Sequence, residues 1–363
     1  MNKRTFGYAG VFWDNMLSFH LKHTPNFLPI LHLDVTERCN LKCRMCNLWK
    51  KPGNTEKNEL TAAEIGRIVK EVKKSGCLII SIGGGEPVIR DDIFDIIESI
   101  SASGIAAHMD TNGTLLNECN VSLLKKTGLK VLSVSLDSHI PQVHNAIRGA
   151  DCFTSVIEGI KTVKRAAPAI KIIINCVINK KNVQDLKKIY QLCLDLEVDG
   201  IKFAPVLNSG KQHDLSLHEI KDLFFEPRDM EIINSNIKEV IKFDSKRHLL
   251  LNSSAYLKGT ADIYAKNRIK QRCFAGITTC VIMPYGDLAP CYNLYNSGLV
   301  AGNLREKSFA ELWGCAKFKE IRKRSKRCQA VCWDLCTKEP SLRFDTGVLL
   351  NNAHLVFNEL NLF

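Results

Sequence analysis

From Leu31 onward the chain repeats a short apolar run, a turn and an amphipathic stretch. This is the pattern of strands and helices alternating around a parallel sheet. The strands it predicts are Leu31 to Thr36, Leu78 to Ile82, Ala106 to Asp110, Val131 to Leu136, Ile172 to Ile178 and Gly200 to Pro205. Six such strands make an α/β fold, a partial (β/α)6 TIM-type barrel. The clearest helix runs from Thr61 to Ser75, opened by a Thr cap with Glu64 three residues on.

The pattern weakens after Val206. Asn208, Ser209 and Gly210 make a turn, and Leu217 to Phe243 reads as polar helix with a break at Pro227. From Cys273 the chain turns cysteine-rich, with a strand–turn–strand at Thr279 to Pro290 and a basic helix from Phe309 to Arg327. The expected organisation is an N-terminal amphipathic segment (1–27), the barrel (28–210), a helical bridge (211–268), a small cysteine-rich α+β domain (269–345) and a tail (346–363). Within the first segment, Tyr8 to Lys22 sets Phe12, Trp13, Met16, Leu17, Phe19 and Leu21 beside His20 and Lys22, as a short amphipathic helix does. Its apolar face is expected to cover the open end of the barrel; a membrane or lipid-like substrate is the alternative.

The bulk numbers narrow the class. With 45% hydrophobic and 24% charged residues the chain has the balance of a folded globular protein. No run approaches the roughly 18 to 20 apolar residues that span a bilayer, and Met1 to Arg4 is not followed by a signal-peptide core. The expected location is therefore the cytoplasm. The net charge of +12 is spread along many helical faces, which reads as solvated surface before it reads as a nucleic-acid site. Fifteen cysteines in a reducing compartment call for metal ligation rather than a disulfide framework.

Their placement supports metal. Thr36-Glu-Arg-Cys39-Asn-Leu-Lys-Cys43-Arg-Met-Cys46 puts three thiolates within eight residues, directly after the first predicted strand. A cubane iron–sulfur cluster is normally held by four cysteines, so three leave one iron open to an outside ligand. The amino and carboxylate groups of S-adenosylmethionine (SAM) can chelate that iron, placing the sulfonium where one electron breaks a carbon–sulfur bond. A structural zinc site, the alternative, wants four ligands in a closed tetrahedron. The Cys-x3-Cys-x2-Cys spacing after strand one resembles the radical SAM superfamily. Met45 stands where that family usually carries an aromatic residue.

Ligand sites in parallel β/α proteins lie at the carboxyl ends of the strands. After the second strand comes Gly83-Gly84-Gly85-Glu86-Pro87, similar to the family's Gly-Gly-Glu-Pro element, which holds the SAM amino group. Glu86 is read there as an acceptor for an ammonium. Asp110-Thr-Asn112-Gly113 follows the third strand and Ser135-Leu-Asp137-Ser138 the fourth, with His144 and Arg148 soon after. The resemblance implies that Ser135 and Asp137 meet the ribose or methionine part of SAM, that Arg148 lies near its carboxylate and that Asn175 faces the nucleoside. Each alone reads equally well as a turn or cap residue.

Near the C-terminus, Cys273 and Gly286-x4-Cys291 flank a hairpin, and Cys328-x3-Cys332-x3-Cys336 follows the basic helix. This resembles the SPASM or shorter Twitch extension of radical SAM enzymes. Too few cysteines follow for two auxiliary clusters, so one auxiliary [4Fe-4S] cluster is expected, on Cys273, Cys291, Cys332 and one of Cys328 or Cys336; zinc is the rival occupant. Cys280 remains open. Cys77, Cys119, Cys152, Cys176, Cys193 and Cys315 read as core or incidental.

The resemblance implies an oxidoreductase or maturase carrying a [4Fe-4S] cluster with SAM at its open iron, fed by a flavodoxin- or ferredoxin-type electron donor. A peptide is the favoured substrate, with carbohydrate, lipid and cofactor precursor open. A reading from another class is a non-catalytic cluster protein that binds nucleic acid through Lys317 to Arg327, a stretch without interleaved aromatic stacking platforms.

Overall fold

The structure is a computed structural model that describes residues 3–21, 24–50, 58–207, 219–265, 272–328 and 330–343. The expected turn at 208–210 and the tail at 346–363 lie outside the described residues. After helix α1 (Lys3–Leu21) the chain alternates strand and helix: β1 (Ile30–Thr36), α2 (Ala62–Lys74), β2 (Ile79–Gly84), α3 (Ile93–Ala102), β3 (Ala106–Thr111), α4 (Glu118–Leu124) and β4 (Val131–Ser135). It continues through α5 (Pro141–Arg148), α6 (Phe153–Ala166), β5 (Lys171–Ile178), α7 (Leu186–Asp195) and β6 (Gly200–Pro205). Then come α8 (Met230–Asp244), α9 (Ser254–Gly259), α10 (Asp262–Ala265), β7 (Thr279–Ile282), β8 (Asp287–Ala289), α11 (Tyr292–Asn296), β9 (Gly302–Asn303), α12 (Phe309–Gly314), α13 (Ala316–Lys326) and α14 (Leu335–Leu342).

Local chemistry accounts for these elements. The Thr61 hydroxyl accepts from the Glu64 amide while the Glu64 carboxylate accepts from the Thr61 amide, so two orphan donors of α2 are satisfied at once. Its residues Ile65, Ile68, Val69 and Val72 recur at helical spacing and are all buried. Pro227, expected as a break, sits in the first turn of a short 3-10 segment that leads into α8, where a missing amide costs nothing.

β1 through β6 pair in sequence order and in parallel, as the partial barrel requires, and the sheet stays open. It does not end at β1. β7 pairs with the outer side of β1 in parallel, Leu31 opposite Cys280, and β8 and β9 follow antiparallel. The C-terminal hairpin therefore extends the barrel sheet, covering an edge that would otherwise offer unpaired amides. β7 is buried along its whole length, Thr279 included, and its Cys280-Val281-Ile282 run suits burial on both faces.

Two expectations are corrected here. The basic helix is two helices, α12 and α13, separated at Cys315, whose backbone is extended and whose sulfur accepts from the Phe318 amide at 3.3 Å. Within α13, Arg322 is buried, stacked on Trp313 and Phe318, and donates to the carbonyls of Gly276 and Trp313. Secondly, for α1, expected to cover the open end of the barrel, the described contacts run to the C-terminal elements. Phe19 stacks on Phe274 at 4.3 Å, and Lys326 donates to the carbonyls of Ser18 and Phe19. The helix thus rests on the C-terminal elements.

Candidate active site

The loop after β1 carries Cys39, Cys43 and Cys46, and a buried polar frame fixes its entry. Glu59 accepts from Thr36 and pairs with Arg38 at 3.1 Å and with buried Arg90 at 3.4 Å. Arg90 in turn donates to the carbonyls of Val35 and Leu60. The glycine turn after β2 lies directly on this loop: Gly85 donates to the Thr36 carbonyl at 2.8 Å and Glu86 to the Arg38 carbonyl at 2.9 Å. Gly84 has φ +113°, and a Cβ there would sit 2.2 Å from the Thr36 oxygen; one on Gly85 would sit 2.0 Å from the Arg38 oxygen. Only glycine permits so close a backbone approach.

Loop and turn form one side of a cavity of about 290 Å³. The three cysteines line it together with Gly84, Gly85, Asn112, Ser135, Arg148 and Asn175, which the fold gathers from the ends of β2, β3, β4 and α5 and from the middle of β5. The Asn175 Oδ1 is buried without a hydrogen-bond partner while its Nδ2 donates to Asp110 at 3.0 Å. An acceptor left unsatisfied beside a cavity fits a ligand that brings a donor.

Glu86, Pro87 and Asp137 stand behind that wall rather than on it. Glu86 is fully buried, and its carboxylate accepts from the Val88 amide (3.1 Å), the Thr111 hydroxyl (2.8 Å) and the Asn112 amide (2.7 Å). Burial pushes this carboxyl up to about 7 against the pull of those donors. Its side chain clamps the β2 turn to the β3 turn, where the sequence pointed to an ammonium acceptor. Asp137, also fully buried, meets Arg148 Nε at 2.7 Å and accepts from the Val177 amide. It holds the guanidinium whose Nη1 lies 4.0 Å from the Cys43 sulfur.

Burial raises all three thiols, Cys39 to about 11 and Cys46 to about 12, while Arg148 opposes the rise at Cys43. Thiols so disposed stay protonated until a metal displaces their protons. Cys152, read as incidental, is buried in the same small cluster as Cys43 and Leu41.

Sequence reasoning missed the far wall. It is built by His32 and Asp34 of β1, Ser81 of β2, Asp110 of β3, Tyr292 of α11, and Asp334 and Cys336 at the start of α14. The Tyr292 hydroxyl donates to Asp34 at 2.9 Å, and Ser81 to Asp110 at 3.1 Å. The signal was available: His32, Asp34 and Thr36 alternate with Leu31, Leu33 and Val35, and polar side chains at every second strand position face one side together.

The C-terminal cysteines divide. Cys273, Cys291, Cys328 and Cys332 lie near enough that ionising one raises its neighbours: Cys273 is raised by Cys328, Cys291 by Cys273 and Cys332, and Cys332 by Cys273 and Cys328. Burial is the larger cause at each of the three raised thiols. Cys336, a candidate ligand in the sequence, faces the main cavity instead, and its carbonyl is 3.2 Å from His32 Nε2. Cys280 is buried on β7, near Cys77 and Arg322. Among the described residues no three His, Cys, Asp or Glu side chains converge tightly enough to hold a single metal ion.

Residues 33–193 match the radical SAM superfamily, and residues 273–337 match SPASM, an iron–sulfur cluster-binding domain. Together they take in more than half of the chain. The chain belongs to the radical SAM superfamily. This radical SAM enzyme is 26% identical over 302 residues to the AdoMet-dependent heme synthase of Methanosarcina barkeri, covering 80% of this chain and 83% of that one. It is 26% identical over 294 residues to the mycofactocin maturase MftC of Mycobacterium tuberculosis, covering 80% and 71%. SuiB of Streptococcus suis, solved with its precursor peptide SuiA, shares the fold at a TM-score of 0.67 and 20% identity, over 85% of this chain and 70% of SuiB. The two domains of this radical SAM enzyme imply iron–sulfur clusters and SAM binding.

Proposed function

We propose that this radical SAM enzyme modifies a peptide or another natural product by taking a hydrogen atom from it, with a single auxiliary cluster in its SPASM domain. The observation that carries the reading is one cavity shared by three cysteines of a single loop and the polar groups Asn112, Ser135, Arg148 and Asn175. When bound, a reduced cluster supplies one electron that splits SAM into methionine and a 5′-deoxyadenosyl radical, which takes a substrate hydrogen to become 5′-deoxyadenosine.

The chain's own residues prepare that step. Cys39, Cys43 and Cys46 would hold the cluster by three sulfurs, leaving one iron for SAM. Arg148 favours the Cys43 thiolate and offers its remaining N–H groups to a carboxylate. The Gly83–Gly85 backbone lines the cavity, and the Asn175 carbonyl awaits a donor. Cys273, Cys291, Cys328 and Cys332 would hold the auxiliary cluster. The reductive step fits a reducing compartment, and the cytoplasm is the proposed location, with a flavodoxin- or ferredoxin-type protein as donor. Among the described residues no helix is long and apolar enough to cross a membrane.

Support for a peptide comes from the similarity to a mycofactocin maturase and, for the fold, from SuiB. A second reading, a tetrapyrrole-type cofactor precursor, has support from the heme synthase, similar over 80% of this chain. The test is anaerobic reconstitution followed by SAM and dithionite. Wild type should release 5′-deoxyadenosine, and a triple Cys39→Ala, Cys43→Ala, Cys46→Ala variant should release none while retaining the auxiliary iron. Cluster-loaded wild type that leaves SAM intact overturns the reading. Mass shifts in added peptides or iron porphyrinoids then separate the two substrate classes.

A further inference from the structure

Among its described side chains, helix α1 turns polar groups inward and an apolar stripe outward, with Phe19 packed inward as well. Its polar residues Asn15 and Ser18 are buried, while Trp13, Leu17 and Leu21 are 63%, 49% and 69% exposed. Positions 13, 17 and 21 fall four apart, so the three side chains form one stripe along one helix face. Scattered exposed apolar residues need no explanation, but an aligned stripe headed by a tryptophan does. The stripe is not held loosely: Phe19 stacks on Phe274, and Asp14 accepts from the amides of Asn26 and Phe27.

Charge identifies what covers it. Asp14 is the one acidic residue among positions 1–23, against Lys3, Arg4 and Lys22 in the sequence. The C-terminal end of α13 meets α1 directly, Lys326 donating to the Ser18 and Phe19 carbonyls. Along α13, Lys317, Lys319, Lys323, Arg324 and Arg327 are exposed, with Glu320 as the acidic residue among them. An apolar stripe carrying Trp next to a basic helix matches the two components of interfacial membrane binding, apolar insertion and attraction to anionic headgroups. We propose that α1 and α13 form a docking surface for an anionic lipid bilayer, holding this enzyme reversibly on the membrane. The inference is independent of which substrate the cavity takes.

The test uses the full, cluster-loaded chain and pelleting with vesicles of phosphatidylcholine alone or with about one-third phosphatidylglycerol. Wild type should bind the anionic vesicles at least about tenfold more tightly than the neutral ones, and less tightly as salt rises. A Trp13→Ser, Leu17→Ser, Leu21→Ser variant should lose at least about tenfold in that affinity, and so should Lys323→Glu, Arg324→Glu, Arg327→Glu. Both variants should keep their iron content and 5′-deoxyadenosine release, which shows that they fold. Failure of wild type to pellet with anionic vesicles overturns the proposal, as does binding that either variant leaves intact. Light scattering that finds a wild-type dimer, converted to monomer by the serine variant, also overturns it by placing a second copy on the stripe.

Discussion

Replacing Glu86 distinguishes a clamp from a cofactor ligand. Its carboxylate is fully buried and satisfies the amides of Val88 and Asn112 and the hydroxyl of Thr111. In Glu86→Ala the hydroxyl can rotate to a new partner, but two buried amides cannot, at about 1–3 kcal/mol each. With the lost side-chain packing, the expected cost is about 3–5 kcal/mol. An unfolding entropy of roughly 2.1 cal/mol/K per residue over 363 residues means each kcal/mol moves the midpoint by about 1.3 °C. The variant should therefore melt about 4–7 °C lower and hold less iron at the first site.

A pH comparison adds a second readout. The folded-state value of about 7 lies above the unfolded carboxyl's, so at intermediate pH the folded chain keeps a proton that the unfolded chain has released. The stability this group contributes is complete below the unfolded value and is lost as pH rises through the folded one. Between pH 6 and 8 that loss amounts to about 1.4 kcal/mol. Glu86→Gln cannot titrate, so its deficit against wild type should narrow by that amount over the same interval, measured by anaerobic denaturant titration without SAM. A Glu86→Ala protein that keeps its midpoint and iron but binds SAM far more weakly would falsify the clamp and restore the ligand reading.

Three further outcomes follow from the same geometry. Arg148→Met strands the fully buried Asp137 and should cost about 3–5 kcal/mol in denaturant titration, most of it recovered by adding Asp137→Asn; strict additivity of the two would remove the pair. Gly85→Ala forces a Cβ to 2.0 Å from the Arg38 oxygen, so iron analysis should find the first site depleted and the auxiliary site intact. Cys328→Ser should erase the auxiliary cluster's spectroscopic signal, whereas Cys336→Ser should preserve it and change substrate turnover; the reverse pattern would reassign the two thiols.

The barrel strands were legible because each is an apolar run ended by a turn, and their observed limits fall within two residues of the predicted ones. Thr61 was legible because capping is a local rule. What escaped is decided by contacts distant in sequence. Nothing local says that Glu86 turns toward Thr111 and Asn112 rather than outward, since a buried acceptor and a ligand-binding carboxylate have the same spelling. The break at Cys315 had a local signal in Gly314, outweighed by the Lys and Arg run from Lys317 that reads as continuous helix; buried Arg322 stacks on Trp313 and Phe318 across that break. α1 misled by composition: its apolar residues implied one core-facing stripe, yet Asn15 and Ser18 share the inner face with Phe19 while Trp13, Leu17 and Leu21 are exposed.

The pairing of β7 with β1 explains why the two cysteine groups belong to one machine. β1 ends in the loop of Cys39, Cys43 and Cys46, and its two edges carry β2, with the glycine turn, and β7, which lies between Cys273 and Cys291. Register therefore sets both sites from one strand: Leu31 pairs with Ile80 on one side and Cys280 on the other. A one-residue slip of β7 would exchange the side chains on its two faces, carrying Cys280 to the opposite one and displacing Cys291 from Cys273. A strand buried on both faces resists that slip, because every side chain would have to repack against a wall shaped for another. The distance between the two cysteine groups is thus fixed by sheet geometry, without dependence on the bridge between β6 and β7.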